Sequence, residues 1–342
     1  MRSRNTLRKA ANAIAPLLMG AMVMMLVNGT GNDAVANASP VPVINGLVSP
    51  APVHMLAVRQ VTKPSVASAR AHGPLFGIFQ PEVPWKARIT KAITRSLHPQ
   101  IVQVYSRFGT KFRIRAARIN HYDGALTLFQ FDPRRVSLRR IATGHYDRYL
   151  RRYARSVTRL RFKIAISFAH EMNGNWYSWG YNHAGGPRTF VKAWRRIHRI
   201  FAQMHVKNVL WVWTINKLYL NNSKRIVQVT RADWPGKAFV NWVGIDGYFR
   251  FARWSFAKVF ASTIRLVRKI TNKPIILTET AVTLKRRSAQ LREIFAGVKH
   301  NKLHGFIYFD ANARSKWSLH GYSITLVRRL LRSYGYTRSV VP

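Results

Sequence analysis

Eight short apolar runs, distributed between residue 74 and the end of the chain, constrain the fold more than any other feature of this sequence. They are FGIFQ (76–80), IVQVY (101–105), ALTLF (125–129), KIAISF (163–168), NVLWVW (208–213), WVGIDGY (242–248), PIILT (274–278) and GFIYF (305–309). Each run has the length and the β-branched or aromatic content of a buried strand. Eight such runs that alternate with helical segments over roughly 260 residues predict an α/β fold, the (β/α)8 TIM barrel. We expect residues 74–342 to form this barrel as one domain.

Four segments between these runs carry apolar residues at helical spacing. The first contains Tyr146, Tyr149, Tyr153, Val157 and Leu160, the second Phe190, Trp194, Ile197, Phe201 and Met204, the third Phe256, Val259, Thr263, Val267 and Ile270, and the fourth Leu291, Ile294 and Val298. Thr189 is the predicted N-cap of the second. We interpret these stripes as helix faces that pack on the sheet. A doubly wound open sheet is the alternative fold, but no Gly-rich phosphate turn follows the first run.

The N-terminal region predicts export. Over residues 1–38 a basic segment, an apolar run (APLLMGAMVMMLVNG) and small-residue sites follow one another, which is the order of a secretory signal peptide. Residues 39–73 are rich in Pro, Ala and Val and predict a semi-extended linker. The apolar run is shorter than the ~20 residues of a spanning helix. We therefore expect a secreted or cell-surface monomer without a transmembrane anchor after signal cleavage.

The charge of the chain is extreme, with 57 Lys and Arg against 11 Asp and Glu and a formal net charge of +46. Such a charge attracts anionic partners, and a chain with few carboxylates has few ion pairs to lose in acid. We expect either a surface built for an acidic medium or an electrostatic tether to an acidic cell-wall or matrix polymer. The basic residues are spread along the chain, which argues against a specific nucleic-acid partner. The absence of cysteine excludes disulfides, thiolate metal sites and a cysteine nucleophile.

Only four glutamates are present as candidate catalytic groups. Glu171 and Glu279 follow the fourth and the seventh runs, and the C-terminal strand ends of a barrel form its active-site face. We interpret Glu82 as a loop residue, with a substrate-subsite residue as the alternative, and Glu293 as a solvated helix-face residue. Two carboxyl groups about 5 to 5.5 Å apart perform retaining glycoside cleavage, which needs a proton donor and a nucleophile. A structural ion pair with an arginine is the alternative for either residue alone.

The segment HEMNGNWYSWG (170–180) combines an acid, amides and three aromatic rings in one short loop. Aromatic rings stack on the apolar faces of sugars, and amide and imidazole groups bond their hydroxyls. Trp213 ends the fifth run and Tyr248 the sixth, which predicts that both reach the mouth of the barrel. The sequence has no HxH or HExxH arrangement, so we expect no metal, and retaining glycoside cleavage uses no cofactor.

In several of these segments the chain resembles glycoside hydrolase family 26, the clan A barrels best known as β-mannanases. The resemblance rests on AHEMNGNWYSWG (169–180), IATGHYDRYL (141–150), FVKAWRRIHRIF (190–201), NVLWVWTIN (208–216), WVGIDGY (242–248) and ILTET (276–280). It covers about residues 125–310, while the first two strands match loosely. The resemblance implies a single catalytic domain with Glu171 as general acid/base and Glu279 as nucleophile.

The resemblance also implies that His170 and Trp176 line the sugar site and that Tyr248 donates a hydrogen bond to the nucleophile. The complete set of predicted substrate-binding residues is His170, Asn173, Trp176, Trp179, Trp213, Tyr248 and Tyr308. Three positions depart from the family pattern: Ala281 after the nucleophile segment, Gln130 at the end of the third run, and Tyr308 in place of a tryptophan platform.

The expected activity is that of an endo-β-1,4-mannanase acting on polysaccharide by double displacement. Because the departures affect substrate subsites, mixed-linkage β-glucan, β-xylan and the producer's own exopolysaccharide stay open as alternative substrates. A non-catalytic barrel that binds polysaccharide or anions is the further alternative, although both glutamates are present.

Overall fold

The computed structural model describes residues 73–81, 97–183, 185–218, 223–311 and 317–336. Its eight strands are parallel neighbours in sequence order and close into a barrel in which β1 pairs with β8. They are β1 (Leu75–Phe79), β2 (Ile101–Arg107), β3 (Leu126–Asp132), β4 (Ile164–Phe168), β5 (Val209–Asn216), β6 (Trp242–Asp246), β7 (Ile275–Thr280) and β8 (Gly305–Phe309). The predicted (β/α)8 barrel is thus confirmed. The predicted signal peptide, nearly all of the predicted linker and Glu82 lie outside the described residues.

Helices connect the strands. In the described ranges they are α1 (Ile114–Tyr122), α2 (Leu138–Ala142), α3 (Asp147–Thr158), α4 (Gly186–Gln203), α5 (Ser223–Ala232), α6 (Ser262–Ile270), α7 (Arg287–His300) and α8 (Tyr322–Ser333), and a π-turn over Ala257–Ala261 leads into α6. The four predicted stripes fall on α3, α4, α6 and α7. None of the helices in these ranges has both the length and the apolar composition that crossing a membrane demands.

Two expectations about helix residues are wrong. The N-cap of α4 is Gly185, in the left-handed conformation that favours glycine, and Thr189 lies in the first turn, where its hydroxyl donates to the Gly185 carbonyl at 3.0 Å. Glu293 is half-buried, and its carboxylate accepts a hydrogen bond from the backbone N–H of Phe256 at 2.8 Å. It therefore caps the start of the segment that leads into α6, where a carboxylate is favourable.

The strands alternate between an inner and an outer apolar layer, because successive side chains of a strand point to opposite faces. The barrel interior is filled by Leu75, Ile101, Leu126, Leu128, Ala165, Val212, Trp242, Ile276 and Ile307. A much larger cluster lies between the strands and the helices. Gly244 keeps the interior of β6 free of a side chain, since an added Cβ would lie 2.4 Å from Oγ1 of Thr214 and 2.6 Å from Oγ1 of Thr278.

Three strands extend beyond the predicted runs and carry polar residues into the mouth. β3 continues to Asp132, β5 to Asn216 and β7 to Thr280. Glu279 is therefore part of β7 and not of the loop that follows it. The register of β7 against β6 shifts between Leu277 and Glu279, a β-bulge of the kind that redirects a side chain beside an active site.

Candidate active site

Glu171 lies on the loop that follows β4, and this loop has unusual backbone geometry. Ala169 and Glu171 have φ values of 51° and 55°, the left-handed region that costs a non-glycine residue about 1–2 kcal/mol. Backbone bonds hold the loop in place: the N–H of Ala169 donates to Phe131 O at 3.1 Å, and the N–H of Glu171 donates to Thr214 O at 2.9 Å. Neighbouring strands β3 and β5 therefore fix the position from which the Glu171 side chain starts.

The Glu171 carboxyl group is buried and accepts two hydrogen bonds. The Asn216 side-chain amide donates to Oε1, and the Trp176 indole N–H donates to Oε2 at 2.7 Å. Burial raises the pKa of Glu171; the positive charge of His170 and the two donors oppose this shift, while the negative charge of Glu279 adds to it. The net effect raises the pKa of Glu171 above its ordinary value, as suits a carboxyl group that must carry a proton.

Glu279 is held by a different set of partners. Its Oε1 accepts from the Gln103 amide at 2.8 Å and from the Tyr105 hydroxyl, and its Oε2 accepts from the Tyr248 hydroxyl at 2.5 Å. The donors come from β2 and from the residue two positions past β6, on both sides of β7 in the barrel. Three donors on two oxygens match the acceptor capacity of an ionised carboxylate.

His170 is fully buried beside the two glutamates. Its Nδ1 is 2.8 Å from Oδ1 of Asp132, and its Nε2 is 3.2 Å from the Tyr177 hydroxyl. Burial lowers the pKa of His170, but the charge and hydrogen bond of Asp132, with the charges of Glu279 and Glu171, outweigh burial and raise it to about 9. The imidazole is therefore a cation at neutral pH, with a proton on both nitrogens.

Asp246 is a further buried carboxyl group, at the end of β6 and paired in register with Glu279. Its Oδ1 accepts a hydrogen bond from the Thr278 hydroxyl at 2.6 Å. Burial, followed by the charges of Glu279 and Glu171, raises the pKa of Asp246 well above its ordinary value. Protonation of Asp246 avoids a second buried negative charge next to Glu279.

One group of side chains brings metal-ligand types together. His170, Asp246 and Glu279 each place one candidate ligand atom within 4.8 Å of the other two, among the described residues. The neighbours of His170 raise its pKa, so that the imidazole carries a proton on both nitrogens. The oxygens of Glu279 already accept three hydrogen bonds. A metal ligand must present a free lone pair. His170 and Glu279 are therefore already engaged by a proton or by hydrogen-bond donors, and two of the three groups fit a cation poorly.

Two residues predicted to contact sugar, Trp213 and Tyr308, point away from the mouth, because the alternation of side chains along a strand turns both outward. Val212 faces the barrel interior, so Trp213 faces the helices, where it is fully buried with its ring 5.0 Å from that of Trp234. Ile307 faces the interior as well, so Tyr308 faces outward and is fully buried. The Tyr308 hydroxyl donates to the backbone carbonyl of Trp317 at 2.9 Å. Neither ring forms a sugar platform.

Asn173 and Trp179 are buried supports of the β4 loop and not contacts for substrate. The Asn173 amide donates to Asn216 O at 2.9 Å, and its Oδ1 accepts from Asn216 N at 2.8 Å. The Trp179 indole N–H donates to His170 O at 2.7 Å, and its ring stacks on Tyr177 at 4.2 Å. Asn173 thus positions the residue that bonds Glu171, and Trp179 positions His170.

The remaining predicted residues do converge. His170, Trp176 and Tyr248 surround the two glutamates, Trp176 through Glu171 and Tyr248 through Glu279. Trp317, in the loop after β8, stacks on Tyr248 with ring centres 4.5 Å apart. The predicted aromatic platform, Tyr308, precedes Trp317 by nine residues in the chain.

Four further site residues were missed: Gln103, Tyr105, Asp132 and Asn216. Asp132 and Asn216 end β3 and β5, whose predicted runs stopped at 129 and 213. A search for polar residues just past each apolar run would have found these two. Gln103 and Tyr105 stand inside the second run, where inward-facing polar side chains at alternate positions were the available signal.

A buried pair of carboxyl groups at the C-terminal mouth of a (β/α)8 barrel, one with a raised pKa and the other held by three donors, defines a class of protein. It is the arrangement of barrel glycoside hydrolases, in which one carboxyl group delivers a proton and the other attacks the sugar. Comparison with known sequences places the chain within that class. The family model for glycosyl hydrolase family 26 matches residues 100–295, more than half of the 342 residues, so the chain belongs to this family.

Individual relatives are more distant. Endoglucanase H of Acetivibrio thermocellus is 26% identical over 211 residues, which are 58% of this chain and 23% of that protein. The chain therefore spans less than a quarter of this relative. A β-mannanase of family 26 from Bacteroides ovatus superposes with a TM-score of 0.57 at 15% identity, covering 80% of this chain and 91% of that one. A modular endo-β-1,4-mannanase from Cellulomonas fimi gives 0.60 at 16% identity, covering 79% and 72%. At these identities the structures share the fold.

Proposed function

We propose that this chain is a retaining endo-β-1,4-glycanase, with mannan as the preferred polymer, Glu171 as general acid/base and Glu279 as nucleophile. One observation carries the proposal: two buried carboxyl groups share one mouth and have opposite surroundings. Glu171 has a raised pKa and two donors, while Glu279 accepts three hydrogen bonds. These surroundings fit an acid that starts protonated and a nucleophile that starts ionised.

In the first step, a Glu279 oxygen attacks the anomeric carbon, the bond to the leaving oxygen breaks, and the proton of Glu171 moves to that oxygen. The product is a glycosyl ester on Glu279, and Glu171 is left ionised. The amide of Asn216 and the indole of Trp176 donate to Glu171 and stabilise this charged state.

In the second step, Glu171 takes a proton from a water molecule while the oxygen of that water attacks the anomeric carbon. The bond from the anomeric carbon to Glu279 breaks, and Glu279 is released as the carboxylate. Two inversions give net retention of configuration. The hydroxyls of Tyr105 and Tyr248 lie on the Glu279 oxygens and stabilise the carboxylate as it leaves. His170, a buried cation beside both glutamates, compensates the negative charge that stays in the site in either state.

The polymer is the finer part of the proposal. Mannan is supported by the structural neighbours that are β-mannanases, among them those from Bacteroides ovatus and Cellulomonas fimi. A β-glucan is the second candidate, because the sequence relative from Acetivibrio thermocellus is named an endoglucanase. The shared fold leaves both polymers open, since specificity resides in loops and not in the barrel.

We further propose that the protein is exported and retained at the cell surface by its charge. The basic, apolar and small-residue order of residues 1–38 and the net charge of +46 support this. N-terminal sequencing of the protein recovered from the medium and from the cell surface should begin near residue 39. Salt should elute the surface fraction, because screening weakens an electrostatic tether. Retention that salt does not affect would refute the tether.

The decisive experiment is an assay of reducing-sugar release from mannan, glucomannan, mixed-linkage β-glucan and β-xylan. Glu171→Gln and Glu279→Gln should each lose at least about 10²- to 10⁴-fold in kcat/KM. Glu293→Gln is the matched control, since its carboxylate bonds the backbone N–H of Phe256 and neither catalytic glutamate, and glutamine can accept the same bond. The configuration of the first product, measured by NMR, should be that of the substrate. Folded protein that binds a polymer but cleaves none of the four would favour a binding barrel.

A further inference from the structure

Exposed hydrophobic side chains gather on one side of the mouth. Four large hydrophobic residues among the described ranges are strongly exposed. Two of them lie on the loops that follow β6 and β7, and a third is the first residue of α8, directly after the loop that follows β8. They are Phe251, 48% exposed, Leu284, 52% exposed, and Tyr322, 62% exposed. The fourth, Tyr122, ends α1 at the opposite end of the barrel. Apolar surface that stays in water beside a cleft marks a place where a ligand or partner lies.

The same loops are basic and carry no acid. Residues 247–256, 281–287 and 311–323 contain no Asp or Glu. We define the basic rim as Phe251, Arg253, Leu284, Lys285, Arg286 and Tyr322. Lys285 and Arg286 are exposed next to Leu284, and the Arg253 guanidinium lies 5.1 Å from the centre of the Phe251 ring. Cations and apolar surface therefore alternate along the rim.

Buried side chains make the rim rigid. The Gln290 amide nitrogen donates to the carbonyls of Phe251, Ala252 and Trp254 at 3.0, 3.3 and 3.1 Å, and its oxygen accepts from Thr283 N at 3.0 Å. One side chain thus joins the loops after β6 and β7. Because the rim is preformed, a ligand would lose little free energy in ordering it.

A second buried side chain joins the next pair of loops. The Arg287 guanidinium donates to Ser318 O at 2.9 Å and lies 3.4 Å from Nδ1 of His320, two residues before Tyr322. The loop after β8 is therefore fixed to the start of α7, which follows the loop after β7.

Positive charge also converges further inside the same side of the mouth. Lys217, the residue after β5, is nearly buried, and its ammonium lies 4.8 Å from the centre of the Trp254 ring. Burial, with the positive charges of Arg250 and Lys258, lowers the pKa of Lys217 to about 8. Lys217 thus adds a cation next to Trp254, which belongs to the same loop as Phe251.

We propose that the basic rim binds uronic-acid residues that flank the cleaved bond, so that among mannan-type polymers this site prefers those that carry carboxylates. The inference rests on the proposed function for the cleavage itself and adds the chemical class of the substrate. Exposed Phe251, Leu284 and Tyr322 offer apolar surface to sugar rings, and Arg253, Lys285 and Arg286 offer cations to carboxylates. A neutral mannan would use the first set of contacts and leave the second solvated.

The test compares two polymers that differ in charge alone. Glucomannan and the same glucomannan oxidised at C6 to the uronate are the probes, with the full chain at low salt. We expect kcat/KM to be about tenfold higher on the oxidised polymer, as three exposed ion pairs would give. The triple variant Arg253→Gln, Lys285→Gln, Arg286→Gln should lose this preference. A matched triple variant, Arg161→Gln, Lys163→Gln, Lys207→Gln, removes the same charge from exposed positions at the opposite end of the barrel and should keep it.

Binding by the inactive Glu279→Gln protein separates this inference from the proposed function. Tighter binding of the oxidised polymer that only the rim variant abolishes supports the rim, even if the wild type cleaves nothing. Cleavage of neutral glucomannan without any preference for the oxidised polymer overturns the rim and leaves the proposed function standing. Equal losses in the two triple variants, or equal competition by duplex DNA, would show a general charge effect and also overturn the rim.

Discussion

The two glutamates at the mouth differ in the backbone that carries them and in the partners that surround them. Glu171 extends from a strained left-handed residue of a loop, whereas Glu279 belongs to a strand and is redirected by a bulge. Glu171 accepts two hydrogen bonds, both from N–H groups of the β4 loop and β5. Glu279 accepts three, two of them from tyrosine hydroxyls on β2 and beyond β6. The same side-chain type thus occupies two different electrostatic environments about one cleft.

The difference teaches how one barrel assigns two roles to one residue type. The environment of Glu171 permits both protonation states, because burial favours the neutral form while His170 and two donors favour the charged form. The environment of Glu279 supplies three hydrogen-bond donors, two of them tyrosine hydroxyls, to the two oxygens of the carboxyl group. If this contrast governs the chemistry, exchanging or removing its parts should affect proton transfer on one side and bond formation on the other.

The largest effect should come from removing each carboxyl group in turn. Glu171→Ala should lower kcat/KM on polysaccharide by about 10²- to 10⁴-fold but much less on a dinitrophenyl glycoside, because that leaving group departs without a proton. Glu279→Ala should lose activity on both substrates, since no ester can form. Steady-state kinetics with the two substrates measures the contrast. Equal losses on both substrates in both variants would show that the roles are not divided as we infer.

Next in size is the loss of a hydroxyl from the Glu279 side. Tyr248→Phe removes the donor to Oε2 and keeps the ring that stacks on Trp317. A hydrogen bond to a charged group contributes about 1.5–3 kcal/mol, so kcat/KM should fall by about 10- to 100-fold. Tyr153→Phe is the control, because the Tyr153 hydroxyl is equally buried but pairs with Ser106. A loss of similar size in the control would point to general loosening of the barrel.

A smaller effect, visible in the pH dependence, should follow from Asp132→Asn. Burial lowers the pKa of His170, and Asp132 contributes most to the opposing effect that raises it to about 9, so the variant should leave His170 neutral at lower pH. Without that positive charge the pKa of Glu171 rises further, and the alkaline limb of kcat/KM should move to higher pH. An unchanged limb would show that His170 does not act on Glu171 through its charge.

The pH dependence of the free energy of unfolding tests the same substitution independently. The folded pKa of His170 lies above its ordinary value near 6.5, so proton binding stabilises the native state fully below pH 6.5. This contribution is lost as the pH rises to about 9 and is on the order of 3 kcal/mol. Wild type should therefore lose more stability than Asp132→Asn between these pH values in denaturant titrations. Titrating groups that interact with neither Asp132 nor His170 are common to both proteins and cancel in the difference.

The same comparison shows what the sequence predicted and what it could not. Glu171 and Glu279 were found because both follow apolar runs, and the strand count and order were read from the same runs. Trp213 and Tyr308 were misplaced because position near a strand end was used without the alternation that decides which face a side chain takes. Asp132 and Asn216 were missed because strands β3 and β5 extend past their apolar runs.

Other features depend on contacts that local pattern does not encode. Gln103 and Tyr105 reach Glu279 across more than 170 residues of chain, and only the closure of the barrel brings them together. The bulge in β7 and the left-handed conformation of Glu171 likewise arise from the pairing of neighbouring strands. A single sequence contains no direct signal for such pairings, whereas it does contain the period of each strand and helix.

The smallest expected effect tests the Glu171 side most directly. Trp176→Phe removes the indole N–H that donates to Glu171 Oε2 at 2.7 Å and keeps an aromatic ring at the position. This bond stabilises the charged form of Glu171 and so lowers its pKa; without it the pKa of Glu171 is raised further. The alkaline limb of kcat/KM should therefore move to higher pH, and the plateau should fall by only about 3- to 10-fold, as for one hydrogen bond.

Trp194→Phe is the matched control, since its indole N–H donates to the backbone carbonyl of Phe239 at 3.2 Å, behind the barrel wall. It should leave the position of the limb unchanged. Trp176→Phe tests the Glu171 side where Tyr248→Phe tests the Glu279 side, and the two predictions are opposite in kind. A lost donor to the acid should shift the alkaline limb with little loss of rate, and a lost donor to the nucleophile should reduce the rate and leave the alkaline limb in place. If both variants behaved alike, the two glutamates would share one environment, and the division of roles between them would need another cause.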